Sequence, residues 1–166
     1  YAKAVRAPNI AELFDPQQGT TFRPADPCDI AQIAISPNPT LRAANCRADG
    51  LPADFEDPLT ARFSGTTGGN PDLSEETAKT YTFGVVLQPR FVPGLTITGD
   101  YYNITIEDAI AAVSSQDIVD SCYDATSIDN QYCELFTRNR TAGSPTFLGL
   151  NFLRQTDALI VNDSEG

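Results

Sequence analysis

The chain has 166 residues, 41% of them apolar, which is room for one ordinary domain with a core. Its 22 acidic residues outnumber 11 basic ones, giving a formal charge of −11. That balance excludes nucleic-acid binding, which needs a basic footprint, and adsorption to an anionic membrane surface. There is no Met and no His. No secretory signal pattern is recognisable, so the chain is expected to be an internal piece of a longer protein. No stretch reaches the ~18 apolar residues of a transmembrane helix. Transmembrane strands need only ~9–11 residues with alternate ones apolar, so that observation does not bear on them.

"YAKAV" reads as the end of a strand, halted by Pro8 and Asn9. Residues 15–71 are rich in turn formers, as in "DPQQGTTFRPADPCD" and "SGTTGGNP", and are expected to be irregular. Two short helices are expected inside: one over "DPCDIAQIAI" with Asp26 as N-cap, another over "NPTLRAANCR". The acids Asp26, Asp29, Asp49, Asp54, Glu56 and Asp57 read as a solvated face.

"KTYTFGVVLQP" then alternates, with Tyr81, Phe83, Val85 and Leu87 on one face. "LTITGDYYNITI" does the same, with Leu95, Ile97, Gly99 and Tyr101 together. Ile104 and Ile106 fall out of step with that phase, which predicts a β-bulge near Tyr102–Asn103. The short "PRFVPG" between the two runs makes residues 77–106 an antiparallel hairpin. The polar faces carry Thr, Gln and Asp in place of the Lys and Glu that usually cover a wet sheet. Alternation by itself fits both a soluble sandwich and a membrane barrel.

Downstream, "EDAIAAV", "SSQDIVDSCY" (N-cap Ser114 or Ser115) and "IDNQYCELFTRN" read as short helices. "FLGLNFLRQTDALIV" reads as a further strand. Cys28, Cys46, Cys122 and Cys133 form two local pairs without zinc-knuckle spacing. Four cysteines allow three connectivities. Pairing Cys28–Cys46 and Cys122–Cys133 is preferred because each bridge closes a short loop, at ~3 kcal/mol apiece in the chain-entropy model. Disulfides imply an oxidising compartment. No nucleophile elbow or phosphate-cradling loop is present, so no catalytic residue, cofactor or metal is assigned.

Several elements in order resemble TonB-dependent outer-membrane receptors. They are Arg6-Ala7-Pro8-Asn9, Gly69-Asn70-Pro71 with Leu73 and Glu76, Gln88-Pro89 with Pro93-Gly94-Leu95, and the run from Tyr101-Tyr102 to Asp108-Ala109-Ile110. The likeness covers roughly residues 1–153 and fits the C-terminal half of the barrel. It departs at "DALIVNDSEG", which does not follow the family's next strand.

The resemblance implies an all-β fold: about four strands of a transmembrane antiparallel β-barrel, with long disulfide-stapled extracellular loops containing short helices. Residues 1–6 would be a strand end, 9–76 an extracellular loop, and 77–106 a membrane hairpin. Residues 107–146 would be the second extracellular loop, and 147–161 part of the next descending strand. The whole receptor would be a barrel of about 22 strands plugged by a separate domain. Implied partners are the rest of that barrel and its plug, the TonB complex, outer-membrane lipid, and a small-molecule or oligosaccharide nutrient. Candidate ligand contacts in the loops are Phe22, Arg23, Arg47, Tyr123, Tyr132 and Arg138. The alternative reading is a secreted, disulfide-stabilised β-rich binding module or a self-assembling extracellular protein.

Overall fold

The computed structural model describes residues 1–156, 159–161 and 164–165. Two bodies of structure alternate along the chain, a tall ribbon of strands and a cap folded from the segments between them.

The ribbon contains β1 (Ala2–Arg6), β4 (Glu76–Leu87), β5 (Ile97–Glu107) and β10 (Ser164–Glu165), in the spatial order β1-β4-β5-β10 and antiparallel throughout. The β4–β5 ladder runs from Thr77↔Glu107 to Leu87↔Ile97 without interruption. The expected bulge at Tyr102–Asn103 is therefore absent. Tyr102, Ile104 and Ile106 belong to the opposite face, beside Thr82, Thr80 and Ala78. What looked like a phase slip is apolar side chains switching to the other surface. Val92 donates to the Pro89 carbonyl and Leu95 to the Val92 carbonyl, and Gly94 takes φ +85°, closing the hairpin tightly.

The two faces differ in their balance of apolar and polar side chains. One carries Phe83, Val85, Leu87, Ile97 and Tyr101, all exposed, with Tyr1 packed on Tyr81 at 4.8 Å between ring centroids. Towards the cap, the same face turns polar: Lys3 lies opposite Lys79, and Lys79 pairs with Glu107. The other face is mixed: it carries Thr80, Thr82, Thr98 and Asp100, together with the exposed Val86, Tyr102 and Ile104. There Gly84 leaves space for its cross-strand partner, because a Cβ would stand 2.4 Å from Asp100 Oδ1.

The cap is built around a second sheet, with β2 (Gln18–Phe22), β3 (Phe63–Gly68), β8 (Leu150–Thr156) and β7 (Phe136–Arg138) in the order β2-β3-β8-β7. Residues 15–71 are thus less irregular than their composition predicts. β3 and β8 are parallel, so one strand from each interstrand segment meets in the centre. β3 reads "FSGTTG" and can be central because it is thin: a Cβ on Gly65 would fall 2.1 Å from the Leu153 carbonyl and 2.5 Å from the Phe22 ring.

The expected descent over 147–161 is split. Leu150–Thr156 belongs to the cap sheet. β9 (Leu159–Val161) pairs with β6 (Ala109–Ala111), and β10 pairs with β5 in the same register. Residues 157–158 lie outside the described residues. β6 also replaces the helix expected over "EDAIAAV". Its alternation is too short to separate the two periods, and Ile110 N–H donates to Glu76 of β4, 3.1 Å away.

Helices cover the cap sheet. α1 (Ile10–Phe14) opens with a reciprocal cap: Glu12 N–H donates to Asn9 Oδ1 and Asn9 N–H to Glu12 Oε2, both at 2.8 Å. Arg6, on the Thr80 face of the ribbon, ion-pairs with Glu12, so α1 folds over that side. α2 (Ile30–Ile35) is capped by Asp29, not by Asp26. α3 (Pro39–Ala48) has Asn38 as cap and Pro in its first turn. α4 (Ser115–Asp124) has Ser114 as cap and buries Ile118, Val119, Cys122 and Tyr123, the spacing of one helix face. The last expected helix shrinks to a 3-10 turn, Cys133–Leu135, running into β7. Cys28 is bonded to Cys46 and Cys122 to Cys133.

Gly65→Ala should cost the cap roughly 1–3 kcal/mol by overpacking. Limited proteolysis of the intact protein should then cut within 15–71, whereas Gly99→Ala, with open space around it, should leave the digestion pattern unchanged.

Candidate functional site

The chemistry of the cap converges on Arg138. β7 delivers this arginine into the core, where its side chain is 2% exposed. Its Nη1 and Nη2 donate to Asp26 Oδ2 and Oδ1 at 2.6 and 2.8 Å, a two-pronged pair. Nη1 also donates to the Leu148 carbonyl at 2.9 Å, and Nε to the Tyr123 hydroxyl at 2.9 Å. The guanidinium lies over the rings of Phe55 and Tyr123, 5.7 and 5.3 Å from their centroids. Burial works against the charge, but the bonds and charge of Asp26 hold the arginine's pKa above its ordinary value.

Asp26 itself is fully buried, and its Oδ1 additionally accepts from Cys28 N–H at 3.0 Å. It is neither a helix cap nor part of a solvated face. The other acids read as solvated are partly committed as well. Asp57 pairs with Arg23 at 2.8 Å, and Asp29 accepts from Asp57 N–H at 2.9 Å. Asp49 accepts hydrogen bonds from the Tyr123 hydroxyl at 2.6 Å and from Arg140 Nη2 at 2.6 Å. Burial pushes the Tyr123 phenol pKa up, and the bond to Asp49 adds to it.

Further bonds join the two interstrand segments. Arg42 of α3 grips Asp124 with Nε at 2.7 Å and also with Nη2, and it lies 3.0 Å from Asp120. Hydrogen bonding to Asp124 raises the Arg42 pKa. Asn45 Nδ2 donates to the carbonyls of Tyr123 and Ala125 at 2.8 and 2.7 Å, satisfying the end of α4. Gln116 makes a paired amide bond with Ala25, accepting at 2.7 Å and donating at 3.1 Å.

Beside this network lies a cleft of ≈ 390 Å³. Ile128 and Phe136 give it apolar walls, and Asp49, Thr137, Arg138 and Arg140 supply polar groups. The Cys122–Cys133 bridge and the Tyr123 ring complete the lining. The size suits a small ligand. A second, shallower depression of ≈ 500 Å³ surrounds Arg23, Asp29 and Asp57.

Of the residues expected to contact a ligand, the structure brings Tyr123 and Arg138 together. The others are dispersed. Phe22 is buried opposite Phe63 in the β2–β3 pair, and Arg23 is bound to Asp57 and to the Leu59 carbonyl. Arg47 is exposed in the last turn of α3, and Tyr132 packs half-buried against the core. Asp49 and Arg140 escaped the sequence reading, since nothing local distinguishes them from solvated charges. Among the described residues no group of His, Cys, Asp and Glu is placed to hold a metal ion. No helix among them is long and apolar enough to cross a membrane.

The family model described as "TonB dependent receptor-like, beta-barrel" matches residues 1–154. No curated protein and no solved structure matches the chain.

Asp26→Ala should destabilise the cap by about 3–5 kcal/mol, since it strands a buried guanidinium. Pairing Asp26→Leu with Arg138→Met should recover most of that loss in thermal denaturation. A raised folded pKa makes the protonated phenol the stabilised form, so stability holds below pH 10.0 and falls as pH rises above it. Alkaline denaturation followed by phenolate absorbance should show this loss, and Tyr123→Phe should remove it.

Proposed function

The chain belongs to the TonB-dependent receptor-like β-barrel family, and from that premise we propose that it is part of an outer-membrane receptor that captures a scarce nutrient and imports it. The observation that carries this reading is the two-faced hairpin. Phe83, Val85, Leu87, Ile97 and Tyr101 make an outward apolar band, with the Tyr1–Tyr81 pair at its cap-side border. Such a band, flanked by aromatic residues, matches a hydrocarbon layer and its interface. Thr80, Thr82, Thr98 and Asp100 then face the lumen, alongside Val86, Tyr102 and Ile104. Lys3, Lys79 and Glu107 stand beyond the tyrosines, in the polar headgroup zone.

Polarity along the axis follows. The tight turn at Pro89–Gly94 lies on the periplasmic side, and the large cap lies outside the cell. There the two disulfides form and persist without a reducing pool. The open edges of β1 and β10 are closed by neighbouring barrel strands, because an unpaired edge is untenable in lipid. A plug in the lumen and energy relayed by TonB complete the receptor, as the family implies. The cap is the nutrient-facing part, and the nutrient is a small molecule or an oligosaccharide.

Facing decides the test. In the full receptor, Phe83→Lys should cost ~2–4 kcal/mol of barrel stability, and Thr82→Lys on the lumen face should cost far less. Urea unfolding in lipid vesicles measures both; equal costs would remove the membrane assignment. For transport, uptake of the limiting nutrient by cells bearing the receptor should stop when the inner-membrane proton gradient is collapsed.

A further inference from the structure

The cleft beside Arg138 has a one-sided hydrogen-bonding inventory. Its side-chain acceptors are each engaged by a donor of the protein: Asp49 Oδ2 takes the Tyr123 hydroxyl, Asp49 Oδ1 takes Arg140, and the Tyr123 oxygen takes Arg138 Nε. Its donors are not all engaged. Arg140 uses Nη2 towards Asp49, and among the described residues Nε and Nη1 meet no partner. Its side chain is 46% exposed at the cleft. Arg138 keeps one of its five N–H groups unused, although it is almost fully buried. The Thr137 hydroxyl lines the cleft, makes no hydrogen bond among the described residues, and can donate to a ligand as well as accept. Around these donors stand Ile128, Phe136 and the Cys122–Cys133 bridge.

A wall of donors over an apolar floor fits one ligand chemistry. We infer that this cleft binds a small molecule carrying a carboxylate or phenolate oxygen on an apolar ring or chain, with Arg140 and Thr137 holding the oxygen. An ammonium group would have to compete for Asp49 with Arg138, Arg140 and the Tyr123 hydroxyl. A fully apolar ligand would leave the donors desolvated and unmatched. The chain's acidic excess does not overturn this. The carboxylates at the cleft, Asp49 and Asp26 behind it, are each already neutralised by an arginine. Remote acids are screened over a Debye length of about 8 Å at physiological salt.

The site is composite. Asp49, which aims Arg140, follows α3 in the first interstrand segment, whereas the remaining lining residues come from the second. Neither segment forms the cleft without the other.

This inference rests on reading the cap as the nutrient-facing part of a receptor, and the test separates the two. Binding is measured on the purified full receptor in detergent micelles by fluorine NMR, with 4-fluorobenzoate as probe and 4-fluorobenzylamine as the cationic control. Expected is saturable broadening by the benzoate alone. Arg140→Ala should weaken it roughly tenfold, the loss of one charge-assisted contact. Ile128→Trp, which fills the cleft while leaving Arg140 in place, should abolish it. Arg140→Lys, which can keep the ion pair with Asp49, should weaken it several-fold. Arg154→Ala, outside the cleft, should not change it. Intact disulfides and unaltered near-ultraviolet dichroism certify each variant's fold. Equal binding of the benzylamine, no saturation at millimolar benzoate, or wild-type binding by both Arg140→Ala and Ile128→Trp would overturn the assignment. Uptake of the limiting nutrient is assayed separately. Binding without proton-gradient-dependent uptake would keep the cleft and remove the import function; uptake without binding would do the reverse.

Discussion

The bond between Asp26 and Arg138 is the constraint on which the cap depends. It joins residues 112 positions apart, one beside the Cys28–Cys46 bridge and the other just past Cys133. A buried ion pair contributes little net stability over an apolar replacement, because desolvation offsets the Coulomb gain. It does fix geometry: the arginine's planar fork accepts its carboxylate in one orientation only. Leu148, Tyr123 and Asp49 then fall into place around the same guanidinium. The disulfides act differently. Each closes a loop within its own segment and restricts that segment's unfolded chain, but neither spans the two. Registration between the segments is therefore left to Arg138, to Arg42 and Gln116, and to the parallel β3–β8 ladder.

The same division of labour runs through the ribbon. Its strands hold together by backbone ladders that most sequences could make, and its side chains set the two faces apart. On the Phe83 face polar residues return with Asn103, opposite Tyr81, and with Lys3, Lys79 and Glu107 beyond it. Arg6 and Glu76 tie the ribbon to the cap at the rim: Arg6 contacts Glu12 of α1, and Glu76 accepts from the backbone of β6. The border between ribbon and cap is thus marked by charges satisfied within the protein.

How much of this was legible depended on the range of the interactions involved. The hairpin was legible because its period of two persists from Tyr81 to Leu87 and from Ile97 to Tyr101, and its partner strand is adjacent in sequence. Helices with a good cap were legible too, as with Ser114 before α4 and the "NPT" that opens α3. Where the local signal was weak it misled. Asp26 stands at a plausible cap position, but Asp29, three residues on, does the capping, and Asp26 is withdrawn into the core. Ala109–Ala111 has good helix formers, but Glu76 and β9 capture its backbone into a sheet. The cap sheet was invisible because β3 is built of Gly, Ser and Thr, which read as loop, and its partner β8 comes from the far segment.

The amino-acid sequence by itself determined the two-stranded hairpin, the capped helices, a preference for the pairing that closes short cysteine loops, and the succession of motifs that marks the family. All of these are set by neighbours in the chain or by patterns a few residues long. Only the tertiary structure decided that the two irregular segments form one body, that Asp26 and Asp49 serve arginines in place of solvent, and that spare donors gather in one cleft. Charge in a sequence carries no label of its partner. Which aspartate an arginine finds is settled by the packing of Phe55, Tyr123 and Leu148 around it, and that packing exists only once both segments have folded.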